Sequence, residues 1–264
     1  MTTTTRTLKL LPQYRDVTVE KPGSRKGLAH WYAINGVKYD RVTSALGIIN
    51  KPALIPWAKK LALGKVREVL LDPVVADELA MISAYVGEGQ NPEYAAWVDR
   101  LIDTASKRPD EVKEEAADRG TGLHQEIERY LTSEDRPAAE GVTAQAVRFL
   151  SDWDITIAQS EMTVWSDDLQ VAGTCDGVGW NKDGELIIWD WKTGSGPWWE
   201  MALQLGAYSE MLRLLTGYRP VSAYVVKLTA EAYAVHRVTN LKNAWREYER
   251  AVRLNNASKL DWWE

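Results

Sequence analysis

A β-hairpin near the middle of the chain constrains the fold more than any other segment. Residues 173–196 read GTCDGVGWNKDGELIIWDWKTGSG, which is two strand-like runs joined by Asn-Lys-Asp-Gly. This turn sequence is typical of a type I turn closed by a glycine in a left-handed bulge, here Gly184. A three-residue loop of this kind pairs Asn181 with Glu185, whereas a two-residue loop gives a different register.

The register decides where the polar side chains of the hairpin lie. Because side chains alternate along a strand, Asp190 and Lys192 share one face, and Trp189 and Trp191 share the other. The bulged loop places Asp190 opposite Asp176. A two-residue loop would place Asp176 opposite Trp189 and point it away. We therefore expect two carboxylates side by side within the apolar run LIIWDW.

Two adjacent carboxylates repel each other unless a cation lies between them. Mg²⁺ and Mn²⁺ take oxygen ligands and suit such a pair. Lys192 would add an ammonium group beside a phosphate oxygen or the attacking water. The pattern predicts a site for one or two of these ions. The alternative is a cross-strand Asp/Lys salt bridge on a solvated sheet face, and the apolar neighbours make an idle acid there costly.

The rest of the chain alternates between helical and strand patterns. We predict a hairpin around Asn35-Gly36, helices up to residue 152, and three strands ending with the hairpin. A helix between Pro197 and Gly217, two strands and a helix from Leu241 complete the order. This order indicates a mixed α/β fold with a helical N-terminal elaboration. We expect residues 1–110 to form the elaboration and residues 111–264 the core, in one compact unit.

The composition excludes several classes of protein. The net charge of −5 argues against a broadly basic coat for nucleic acid, although local basic patches remain compatible with it. The single cysteine, Cys175, excludes an internal disulfide and a four-cysteine iron–sulfur cluster. No stretch reaches the length of a membrane span, and the N-terminus lacks the apolar core of a secretory signal. We expect a cytoplasmic protein that does not interact with membranes.

Several segments together resemble a known family. GTCD, followed after one turn by IIWDWK, resembles the core of the PD-(D/E)XK nuclease superfamily, and more narrowly its RecB-like and phage-type exonuclease branch. RGTGLHQEIERYL is similar to the GTxxH helix of that branch, and QLGAY to its QxxxY helix. YDRVTSALGIINKPALIPWAKKLA resembles its N-terminal block. The resemblance covers most of residues 39–230 and implies a restriction-endonuclease-like core, a central mixed β-sheet flanked by helices.

The resemblance implies a role for each matching position. Asp176 and Asp190 would be metal ligands, and Lys192 the catalytic lysine. His124 and the main-chain carbonyl of Trp191 would complete the ligand set. Imidazole suits Mn²⁺ better than Mg²⁺, so we expect manganese to support activity well. A lone histidine on a helix is more commonly structural. The position of His124 shortly after Gly-Thr-Gly nevertheless favours the ligand role.

Three further residues are candidates near this site. Glu161 precedes the first acid by one strand and would reach the metal or form a salt bridge at the sheet edge. Gln204 and Tyr208 are one helical turn apart and would orient Lys192 or contact the DNA backbone. Their alternative is a helix face with the tyrosine half in the core.

A basic segment upstream is a candidate for DNA contact. Lys51, Lys59 and Lys60 lie close to Trp57, and Thr193 follows the catalytic lysine. Such a helix would contact phosphates and stack a base at a fraying end. A solvated helix face is the ordinary alternative.

These observations predict a metal-dependent exonuclease acting on linear DNA. By resemblance it would serve phage or bacterial recombination or repair, beside a single-strand annealing protein, in the host cytoplasm if phage-encoded. One alternative is a structure-selective endonuclease, such as a junction resolvase, with the same metal site. Another is a non-catalytic nucleic-acid-binding module with a vestigial site.

Overall fold

The computed structural model describes residues 19–20, 31–49, 51–84, 92–134, 136–194 and 196–261. The chain divides into two compact units, Met1–Ile49 with Gly120–Glu264 and, separately, Asn50–Arg119. The boundary after residue 110 and the single compact unit expected from the sequence stay predictions.

The described residues form eight strands and seven α-helices. The strands are β1 Val19–Glu20, β2 Trp31–Ile34, β3 Val37–Arg41, β4 Thr156–Ser166, β5 Val171–Trp180, β6 Leu186–Lys192, β7 Ser222–Leu228 and β8 Tyr233–Val238. The helices are α1 Val42–Ala45, α2 Leu54–Leu70, α3 Pro73–Ala84, α4 Pro92–Thr132, α5 Gly141–Asp152, α6 Trp199–Thr216 and α7 Leu241–Ala257, and a 3-10 turn spans Leu46–Ile48.

The strands form one mixed sheet in the order β1-β2-β3-β5-β6-β7-β8, and β4 pairs with β5 outside this path. The β3–β5 and β6–β7 pairs are parallel, and the other pairs are antiparallel. On the edge of β5 away from β4, β3 pairs with its first two residues and β6 with its last four. Among the residues that the structure describes, no strand pairs with residues 173–176 on that edge, which leaves room for side chains at the centre of the sheet.

The two faces of β6 contact different helices. Ile188 belongs to an apolar cluster with residues of α6 and α7, whereas Trp189 and Trp191 belong to a second cluster with residues of α4 and α5. Since side chains alternate, Asp190 and Lys192 lie on the α6 face. The mixed α/β fold with helices on the sheet is thus confirmed, and it is consistent with a restriction-endonuclease-like core.

Helix boundaries differ from the sequence predictions at two places. Helix α4 runs without interruption through Gly120 and Gly122, and no heavy atom of the described residues, apart from the adjacent residues and the helix's own backbone, lies within 4 Å of a Cβ built at either glycine. The break or close contact expected there is therefore wrong within the described residues. Helix α6 begins at Trp199, two residues after Pro197, and ends before Gly217, whose φ of 78° closes it as predicted.

Among the described residues, no helix combines the length and the apolar character that crossing a bilayer requires.

Candidate functional site

The hairpin loop has the predicted geometry. The main-chain N–H of Asn181 donates to the carbonyl of Glu185 at 3.0 Å, and that of Gly184 donates to the carbonyl of Asn181 at 2.9 Å. Gly184 has a φ of 76°, the left-handed conformation that a bulge requires. The three-residue loop is therefore confirmed, and with it the register that brings the two acids to the same level.

The main-chain pairing of β5 with β6 stops just before the two acids. The last paired residues are Gly177 and Trp189, and the next positions on the two strands are Asp176 and Asp190. The main-chain N–H of Trp191 instead donates to Oδ2 of Asp176 at 2.6 Å. The Oδ2 atom of Asp176 thus accepts the hydrogen bond that a main-chain carbonyl would accept in a regular ladder. This hydrogen bond fixes the position of one carboxylate oxygen.

His124 contacts both strands of the hairpin. Its Nδ1 lies 3.2 Å from Oδ1 of Asp176, and its Nε2 lies 3.1 Å from the carbonyl oxygen of Trp191. Both partners are acceptors, so only the doubly protonated imidazolium satisfies both. Burial lowers the pKa of His124, but the hydrogen bond to Asp176 and its charge outweigh burial and raise that pKa above its ordinary value. The site therefore favours positive charge between the acid and the carbonyl.

Glu161 lies close to this pair, at a point where the main chain of β4 is distorted. Its φ is 50°, an unusual value for a non-glycine residue within a strand, and the residues on either side of it pair with β5. One ligand atom from each of Glu161, His124 and Asp176 lies within 4.8 Å of the other two. Two carboxylates and an imidazole whose ligand atoms are this close together suit a hard or borderline divalent cation.

Asp190 lies outside that three-residue cluster and is ion-paired with Lys192. Its side chain is only 3% exposed. Burial, helped by the charge of Asp176, raises the pKa of Asp190 to about 6, although Lys192 opposes the rise. Burial alone would lower the pKa of Lys192, but the two carboxylates raise it above its ordinary value. Lys192 therefore holds a positive charge next to an acid that is costly to ionise without one.

Gln204 and Tyr208 lie on α6, above the same face of the sheet. Nε2 of Gln204 donates to the hydroxyl of Tyr208 at 2.9 Å. Burial, then the charge of Asp190, raises the pKa of Tyr208 well above its ordinary value, so the phenol stays neutral. A Cβ at Gly173 would lie 2.4 Å from Cε1 of Tyr208, so the ring packs directly on β5. Their roles toward Lys192 and DNA stay predictions.

The candidate DNA-contacting residues lie at two places in the chain. Lys51 precedes α2 and is exposed, as are Lys59 and Lys60 on that helix, while Trp57 is half-buried. These four belong to the compact unit Asn50–Arg119. Thr193 is exposed and directly follows β6. Their contact with DNA stays a prediction.

Sequence reasoning missed Tyr32 as a neighbour of the acids. Its hydroxyl lies 3.1 Å from Oγ1 of Thr174, two residues before Asp176 on β5. Burial is the largest cause that raises the pKa of Tyr32, and Glu161 contributes to the rise. The contact depends on the parallel pairing of β3 with β5, which no local sequence signal indicates.

The chain is similar to one known protein family. A family model described as the PD-(D/E)XK nuclease superfamily matches residues 79–261, a range that contains the whole hairpin. The search of curated proteins gave no match. Among solved structures, the one titled "Crystal structure of SSO0001" is 13% identical, with 77% of this chain and 86% of that chain covered and a TM-score of 0.37.

Proposed function

This chain belongs to the PD-(D/E)XK nuclease superfamily, and from that premise we propose that it is a divalent-metal-dependent deoxyribonuclease that degrades linear DNA as an exonuclease. One observation carries the proposal. The hairpin register brings Asp176, Asp190 and Lys192 to the point where the β5–β6 ladder stops, and His124 contacts that point from α4. The segments GTGLH and QLGAY support the choice of an exonuclease, because they occur in the same order as the similar motifs of the RecB-like and phage-type exonuclease branch.

The residues that would hold Mg²⁺ or Mn²⁺ are His124, Glu161, Asp176, Asp190 and the carbonyl of Trp191. Such an ion, when bound, supplies neutralising charge to the phosphoryl group and lowers the pKa of the attacking water. The physical support for this assignment is the close approach of His124, Glu161 and Asp176, each of which brings one ligand atom within 4.8 Å of the other two. The nitrogen ligand suits Mn²⁺ better than Mg²⁺.

Lys192 provides a fixed positive charge. Its ion pair with Asp190 orients Nζ, and the two carboxylates keep it protonated. A preorganised ammonium in a partly buried position stabilises negative charge that develops on a phosphoryl oxygen. Gln204 and Tyr208 are donors on the same face and would position the DNA strand or Lys192.

The wider context of the proposal comes from the resemblance in sequence. Lys51, Trp57, Lys59, Lys60 and Thr193 would each contact DNA. We place the enzyme in recombination or repair, in the cytoplasm of a bacterium or of a phage-infected cell. A single-strand annealing protein would be its partner.

The test uses linear double-stranded DNA labelled at either end and closed circular DNA, with Mn²⁺, Mg²⁺ or EDTA. Lys192→Ala is compared with Lys182→Ala, a matched change in the exposed hairpin turn. We expect metal-dependent loss of linear DNA only, abolished by Lys192→Ala and unaffected by Lys182→Ala. Cutting of circles would establish an endonuclease instead. If neither substrate is cleaved with either metal, the chain is not a deoxyribonuclease on its own.

A further inference from the structure

A second lysine lies beside Lys192 on the neighbouring strand. The parallel β6–β7 pair sets Lys192 in register with Lys227, one position pair beyond Trp191 and Val226. Adjacent strands are about 4.8 Å apart, so the two lysine Cα atoms are neighbours. Lys227 is half-buried near the end of β7.

Both lysines project from the same face of the sheet. Val226 belongs to the α4–α5 cluster, as does Trp191, so the next residue on each strand points to the α6 face. Val225, two residues before Lys227, belongs to the α6–α7 cluster and is the register partner of Asp190. Lys227 therefore extends the row that contains the candidate catalytic lysine.

The charges of the two lysines are balanced differently. Lys192 is paired with Asp190. For Lys227, no hydrogen bond or ion pair was found within the described ranges of the chain. Lys227 thus has a positive charge without a partner in the described part of the chain, next to a lysine whose charge Asp190 balances. An anion at this position would supply that partner.

The location also favours a bound anion. Lys192 and Lys227 lie at the carboxyl ends of two parallel strands, the edge at which ligands bind in open α/β sheets. The next residue across the sheet from Lys227 is Ala234 on β8, an exposed small side chain. The position paired with Lys227 on β8 thus carries no bulky side chain that would cover its ammonium.

We propose that Lys227 is a substrate-binding residue whose ammonium contacts a DNA phosphate next to the one that is hydrolysed. This inference rests on the proposed function, since it takes the nucleic acid bound at Lys192 as its ligand. Such a contact carries no sequence information and sets the position of the strand on the site. It acts on substrate and transition state alike, so its loss raises KM and leaves kcat nearly unchanged.

The test measures binding apart from cleavage. Fluorescence anisotropy of a labelled DNA oligonucleotide in EDTA is recorded over a salt series for the wild type, Lys227→Met, Lys227→Arg and the control Lys182→Met. Thermal denaturation verifies that each variant is folded. We expect Lys227→Met to bind DNA about fivefold more weakly at low salt. The negative slope of log K for binding against log salt concentration should become less steep by about 0.9. Lys227→Arg restores both values, and Lys182→Met changes neither.

The outcomes separate this inference from the proposed function. If the wild type cleaves DNA and Lys227→Met retains the wild-type affinity, salt slope and KM, only the Lys227 contact is wrong. If no cleavage occurs with any metal but Lys227→Met lowers the affinity and slope as stated, the contact holds and the nuclease proposal fails. Absence of DNA binding by the folded wild type overturns the contact as well.

Discussion

The main-chain N–H of Trp191 donates to Oδ2 of Asp176 at 2.6 Å, while Oδ1 of the same acid lies 3.2 Å from Nδ1 of His124. The main chain of β6 thus holds the Asp176 carboxylate of β5 in one orientation. The carbonyl of Trp191 faces the same histidine at 3.1 Å. Residue 191 therefore uses both of its main-chain polar groups at the candidate metal site, while its side chain packs in the apolar cluster with residues of α4 and α5.

The first prediction concerns metal binding. Mn²⁺ at about 100 times its dissociation constant stabilises the wild type by about 2.7 kcal/mol, roughly 5 °C or more in Tm, and EDTA reverses the shift. Asp176→Asn loses most of this shift because it removes a charged ligand next to His124. Differential scanning fluorimetry is the measurement, with the exposed Asp183→Asn as the matched control. An equal manganese shift in Asp176→Asn would place the ion elsewhere.

The second prediction separates Lys192 from metal binding. Lys192→Met removes the ammonium and leaves the cluster of His124, Glu161 and Asp176 in place. We expect the cleavage rate to fall at least about 100-fold. The manganese-dependent rise in Tm persists, because Lys192 is not a ligand. Single-turnover cleavage and fluorimetry on one preparation measure both. A variant that still cleaves within threefold of the wild type would contradict the role.

The hairpin was predictable because its information is local. Asn-Lys-Asp-Gly specifies the loop, the loop specifies the register, and the register places Asp190 at the level of Asp176. The alternation of Trp189 and Trp191 with the polar pair then assigns the faces. Each step depends only on residues of this one hairpin, and over such short separations along the chain a sequence pattern determines the geometry.

The remaining features depend on contacts between distant segments. Strand β7 follows β6 only after helix α6, so no local turn specifies their register, and the pairing of Lys227 with Lys192 could not be predicted from VSAYVVKLT alone. Similarly, Tyr32 reaches Thr174 only because β3 pairs with β5. The sequence offers a cross-strand Asp/Lys salt bridge as the alternative to a metal site, whereas the observed ion pair joins Asp190 and Lys192 of a single strand.

The third prediction tests the packing of Tyr208 on β5. Gly173→Ala would place a methyl group 2.4 Å from Cε1 of the ring, so the ring has to move. We expect a loss of about 2 kcal/mol in the free energy of unfolding, together with slower cleavage. In a Tyr208→Leu background the same change costs much less, which gives a coupling energy of about 1 kcal/mol or more. Urea unfolding of the four proteins measures it, and additive effects would show that the ring is not the obstacle.

The fourth prediction contrasts two helical glycines. A Cβ at Gly206 would lie 2.6 Å from Cβ of Ala244 and 2.7 Å from the main-chain nitrogen of Trp245. Helices α6 and α7 approach closely at this point, and main-chain atoms move only if the whole helix moves. Gly206→Ala should therefore lower the free energy of unfolding by about 2 kcal/mol.

Gly120→Ala should have the opposite sign. In the described part of the chain, no atom beyond the adjacent residues and the helix's own backbone lies within 4 Å of a Cβ added at Gly120, and the residue is inside the continuous helix α4. Alanine loses less backbone entropy in a helix, so the substitution should stabilise the protein by about 1 kcal/mol. Urea denaturation of both variants against the wild type is the measurement. Destabilisation by Gly120→Ala would mean that another segment contacts the helix there, as the sequence first indicated, and a neutral Gly206→Ala would mean that α7 yields at Ala244.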